Sequence, residues 1–114
     1  MGIRIISDPI SAADLAAMAV TGFVDMVKAV VDVEQKVMAV GGELHADEEA
    51  LLLERGSSQR NLWGINLYPG KTGEEFIEFD SMINLRPSDG NRSRGVDDPA
   101  MRDRITAVVR GLVR

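Results

Sequence analysis

Met26-Val27-Lys28-Ala29-Val30-Val31-Asp32-Val33-Glu34 is the stretch on which the fold turns. Val27, Ala29, Val31 and Val33 fall on one side of an extended chain, and Lys28, Val30, Asp32 and Glu34 on the other. Alternation with a period of two marks a strand with one buried face. Gln35-Lys36 then offers a tight turn, and Val37 to Val40 returns as the partner strand, punctuated by Gly41-Gly42. Neither Gln nor Lys favours the positive φ of a two-residue hairpin turn, so a slightly longer loop is the alternative.

Toward the N-terminus, Ile3 to Ile6 reads as a short strand closed by Ser7-Asp8-Pro9. Ser11-Ala12-Ala13-Asp14 is a capping box with Asp in the third place. Leu15, Met18 and Ala19 give the following helix its apolar stripe, and Gly22 ends it. Toward the C-terminus, Asp47 is expected to cap a helix from Glu48 to Arg55, with Gly56 just beyond it. The run Leu51-Leu52-Leu53 would also suit a strand. Leu62 to Tyr68 predicts a fourth strand stopped by Pro69-Gly70, and Phe76 to Leu85 a fifth halted by Pro87. Asp98-Pro99 opens a last helix, whose stripe is Met101, Ile105, Val108, Val109 and Leu112. The order is βαββαβ, then a strand and a helix. It predicts an α+β domain over residues 1–114, with a mostly antiparallel five-stranded sheet, a ferredoxin-like core and helices on one face.

Composition narrows the function classes. A chain of 114 residues, 45% of them apolar, can bury one continuous core. Its net charge of −5 disfavours nucleic acid and anionic lipid as partners. Having no cysteine, it has no disulfide, thiolate metal site or thiol nucleophile. The first residues lack the apolar run of a signal peptide, and no stretch approaches a membrane span, so a cytoplasmic location is expected. The serines lack a nucleophile elbow, and Trp63, the single tryptophan, is expected in the core and not as a base-stacking platform.

With helices on one face, the other face of the sheet would carry Lys28, Asp32, Glu34, Asn66, Glu78, Asp80, Asn84 and Arg86 by parity. Antiparallel sheets commonly leave one face wet. Val30, Phe76 and Met82 fall on that face too, which suggests a homodimer with Val30 and Met82 near its centre.

His45 stands among acids in Gly41-Gly42-Glu43-Leu44-His45-Ala46-Asp47-Glu48-Glu49. Neutral imidazole can act as a general base, and His45, Glu43 and Asp32 are the acid-base candidates. Their spacing matches no zinc motif; a divalent ion would be of the carboxylate-rich kind, and neither metal nor cofactor is assigned. The loop Arg86-Pro87-Ser88-Asp89-Gly90-Asn91-Arg92-Ser93-Arg94 is the candidate anion or partner site, through Arg86, Asn91, Arg92 and Arg94. Guanidinium groups offer forked donors and keep their charge. Asp97 and Asp98 follow closely, so pairing of Arg86 or Arg92 with one of them is expected to order the loop from within.

The runs Val27 to Glu34, Met38 to Asp47, Leu62 to Pro69, Phe79 to Pro87 and Gly90 to Ser93 together resemble a family of small prokaryotic proteins known as a domain of unknown function. The resemblance extends over nearly the whole chain and implies one small domain; it brings no activity, cofactor or catalytic residue. Two function classes follow from the residues themselves. The first is a binding or regulatory module acting as a homo-oligomer. The alternative is an enzyme for a small anionic substrate.

Overall fold

In the computed structural model, which describes residues 2–114, five strands form one sheet: β1 (Arg4–Ile6), β2 (Val27–Asp32), β3 (Val37–Val40), β4 (Leu62–Leu67) and β5 (Ile77–Glu78). Their order is β1-β3-β2-β4-β5, and every pairing is antiparallel. The helices are α1 (Ala12–Thr21), α2 (His45–Glu54) and α3 (Pro99–Leu112). The α+β class and the succession of elements agree with the sequence reading.

The hairpin of β2 and β3 closes through an Asx turn. Asp32 Oδ1 accepts from the backbone N–H groups of Glu34 and Gln35, each at 2.9 Å. Lys36 takes up the positive φ, at 59°. The Ser11 side chain caps α1 by accepting from Asp14 N, and Asp98 caps α3 with Pro99 at its first position. α2 ends in a Schellman arrangement, with Gly56 at φ 100° and Ser57 N–H donating to Leu52 O.

The helices do not share one face. α1 and α3 cover the side carrying Ala29, Val31, Met38, Val40 and Ile65, and close the main core with Leu15, Ile105 and Val109. On the opposite side Leu52 of α2 packs on Val30, Ala39 and Leu62. Topology supplies the reason. The β1–α1–β2 and β3–α2–β4 crossovers step across the sheet in the same direction, but they start from antiparallel strands. Right-handed crossovers then place their helices on opposite faces. Had β4 joined the free edge of β1, α2 would lie beside α1. The face expected to be open is therefore covered by α2 and by the segment after β5.

Two boundaries also differ clearly. α2 begins at His45, with Leu44 and not Asp47 as its N-cap residue. Residues 47–54 are helix, which decides against a strand there. β5 stops at Glu78; a 3-10 turn over Met82–Asn84 replaces the rest of the expected strand.

Candidate functional site

The chain after β5 docks on β4 through asparagine side chains in place of a strand ladder. Asn84 Oδ1 accepts from Gly64 N at 2.8 Å, and its Nδ2 donates to Gly64 O at 2.9 Å. A side-chain amide thereby replaces the backbone of a neighbouring strand, which explains why β5 ends early. Nδ2 also donates to Arg94 O, drawing both ends of the loop together. The approach is close enough that a Cβ on Gly64 would fall 2.5 Å from Ser81 Cβ. Asn91 donates to the carbonyls of Asn84, Ser93 and Gly95 and accepts from Asp97 N, so its amide is fully engaged inside the chain.

Between this loop and the start of α2 lies a cleft of about 260 Å³, bordered by Lys28, His45, Asn66, Asp80, Met82 and Arg94. Lys28 and Asn66 are direct neighbours across the β2–β4 ladder. Arg94 Nε meets Asp80 Oδ1 at 2.8 Å in a half-exposed ion pair. The N-terminus of α2 opens here, because Leu44, His45 and Ala46 line the cleft and no side chain caps the helix.

His45, the first residue of α2, is 8% exposed, and its Nε2 lies 2.8 Å from Ile65 O. Only a protonated nitrogen can bond a carbonyl, so Nε2 carries the hydrogen and neutral His45 keeps Nδ1 as an acceptor. Burial pulls its pKa below the usual value, outweighing the opposing Ile65 carbonyl. Asn66 is 6% exposed; its Nδ2 donates to Glu78, while its Oδ1 faces the imidazole without a hydrogen bond of standard geometry.

The sequence candidates are thus separated. His45 and Arg94 meet at the cleft. Asp32 sits opposite Leu62, three residues or about 10 Å along β4 from the carbonyl that holds His45. Its carboxylate closes the hairpin and accepts from Ser57 Oγ at 2.6 Å. Glu43 is exposed and borders a different pocket, near Gly41 and Gly42. Arg86 is laid over the Trp63 ring, 4.2 Å from its centroid, and donates to Gln59 O at 2.7 Å. Arg92 is exposed. The loop is ordered from within, but by other pairs than expected: Asp97 accepts from Arg92 N–H and the Ser93 hydroxyl, and Arg94 pairs with Asp80. Val30 and Phe76 are buried, so neither can stand at the centre of a dimer contact; Met82 is 62% exposed. No group of three or more His, Asp or Glu side chains that could hold a metal converges among the described residues.

Glu48 is the residue sequence reasoning missed. It is fully buried one turn along from His45, where its Oε2 accepts from Gly42 N–H at 2.9 Å and its Oε1 has no partner. Burial raises its pKa to about 9 despite that donor, so the carboxyl is protonated at neutral pH. The signal was present in the spacing. His45, Glu48 and Leu52 form one stripe of α2, and Leu52 marks that stripe as the inward one.

A family model described as "Protein of unknown function (DUF5674)" matches residues 4–112. The chain belongs to that family. Comparison with curated proteins and with solved structures returned no match. The region matched to the family contains every element of the cleft, from Lys28 to Arg94. Among the described residues no helix is long and apolar enough to cross a membrane.

Proposed function

We propose that the protein is a small cytoplasmic binding module that holds a small anionic ligand at the N-terminus of α2. The observation that carries this reading is the uncapped start of α2, opening on a cleft between Lys28 and Arg94. Free N–H groups and the positive end of the helix dipole favour negative charge, and Lys28, beside the Arg94–Asp80 pair, leaves the cleft one net positive charge. The extended backbone of Leu44 (φ −127°, ψ 137°) suits a capping side chain, so Leu44→Asp installs an internal anion in the ligand's place. It should raise stability by roughly 0.5–1 kcal/mol and weaken binding of acetate and inorganic phosphate. Amide chemical shifts followed during anion titration give the readout. Equal anion affinity in the variant, or no shift at residues 44–46 of the wild type, would sink the proposal.

Self-association belongs to the same reading, through a different surface from the one expected. Val20 and Val24 are 70% and 73% exposed at the end of α1, beside Phe23. Val24 also holds φ at 75°, a region that β-branched residues avoid. Contiguous exposed apolar side chains mark contact surfaces. A monomer by light scattering at tens of micromolar would remove this part.

A further inference from the structure

We infer that the partner of the apolar surface at the end of α1 is a second copy of this chain, in a two-fold contact where Val24 of each protomer seats in the other's groove. The inference rests on the self-association reading above and adds how the two copies meet. A groove of about 380 Å³ runs between α1 and the turn after β4, walled by Ala16, Ala19, Val20, Val24, Tyr68 and Pro69. Val20 and Val24 are 70% and 73% exposed, so both leave most of their apolar surface in water. Val24 is also held at φ 75°, where a β-branched residue is strained and glycine is not. A strained valine that stays in water gains nothing from its own fold. A contact that buries it accounts for both features.

The charges at the groove say which partner fits. Asp25 and Lys71 both border it, and neither forms an ion pair among the described residues. Lys71 lies instead over the Tyr68 ring, 4.8 Å from its centroid. A two-fold contact is self-complementary, so each copy must receive what the other presents. This surface presents a projecting valine beside a hollow, and an unpaired acid beside an unpaired base. A two-fold axis that brings Val24 to the hollow also joins each Asp25 to the partner's Lys71, twice per dimer. Those pairs offset the repulsion between two chains that each carry a net charge of −5. Nucleic acid or an anionic membrane finds no such match, because the groove has one charge of each sign.

Sedimentation velocity of the full chain, from micromolar to hundreds of micromolar, tests this. The wild type should dimerise. Val24→Gly should weaken the dimer roughly 10-fold or more, through loss of a central apolar contact. The same variant, diluted to monomer, should melt no lower than the wild type, because glycine relieves the strain at this φ. Asp25 and Lys71 are exposed, so their variants test the contact without disturbing the core. Asp25→Lys and Lys71→Asp should each weaken the dimer roughly 5–10-fold, and the double variant should restore it. A double variant as weak as the single ones would show that the two charges do not meet, and would overturn the inference. A dimer indifferent to all these substitutions would overturn it too, leaving self-association to another surface. If the wild type is monomeric throughout, the inference falls together with the reading on which it rests.

Discussion

The two faces of the sheet are built on different principles. Among the described residues, nineteen buried apolar ones form one cluster under α1 and α3, whereas the face under α2 buries a cluster of four. Into the space left on that second face the chain places Asp32, His45, Glu48, Asn66 and Asn84, all buried. The first face is held by area removed from water and tolerates imprecise partners. The second depends on particular hydrogen bonds, because each buried polar group there must find its partner or remain uncompensated. Function is more readily built on the second kind of face, where polar groups are already fixed in place.

The largest effect should come from Asn84→Ala. It strips buried Gly64 of both backbone partners and releases Arg94 O, at a cost of roughly 3–5 kcal/mol. Ile105→Ala on the apolar face also removes three heavy atoms, of larger volume but without orphaning a polar group, and should cost about 2–5 kcal/mol. Urea unfolding of both variants measures the contrast. A loss below about 1 kcal/mol for Asn84→Ala would mean that water replaces the amide, and the distinction between the faces would fail.

Glu48 sharpens the same contrast with the opposite sign. Its folded pKa of about 9 lies above the ordinary value of 4.5, so the folded protein holds a proton that the unfolded chain releases. The resulting stability is fully present below pH 4.5 and is lost as pH rises toward 9. At about 1.4 kcal/mol per pH unit, the loss at pH 7 is about 3 kcal/mol. Glu48→Gln, which keeps the shape and cannot ionise, should restore about that much at pH 7 and flatten the profile. Unfolding midpoints at pH 5, 7 and 9 decide it; parallel profiles for variant and wild type would show that Glu48 is ionised in the fold.

Much of the apolar face was legible in the sequence and little of the polar one. Val27, Ala29, Val31 and Val33 point into the main core as their period of two requires, and Ser11 and Asp98 cap the helices they precede. Those signals are local. The position of α2 is not, because nothing near residue 45 states which edge of the sheet β4 will join. The early end of β5 has the same origin: Asn84 replaces a strand only once Gly64 lies next to it. Parity did bring Lys28, Asn66 and Asp80 to one face, and residue type singled out His45 and Arg94. Asp32 and Asn91 drew attention for the same chemical reasons, yet their polar atoms close turns. Residue type alone does not distinguish a side chain held for a ligand from one held for the chain itself.

The smallest expected effect separates two helix starts. α3 carries its own anion: Asp98 Oδ1 accepts from Ala100 N at 3.0 Å. α2 carries none. If that difference is what leaves α2 available to a ligand, α3 should behave as an ordinary capped helix. Asp98→Ala should then cost about 0.5–2 kcal/mol in a thermal melt, through one lost cap. Anion binding at the α2 cleft should not change, because Asp98 borders a separate pocket beside Arg86 and Met101. A melt unaffected by the substitution would show that water caps α3 as well as Asp98 does. The absence of a cap on α2 would then carry no energetic meaning, and the cleft would have to rest on Lys28, Arg94 and His45 alone.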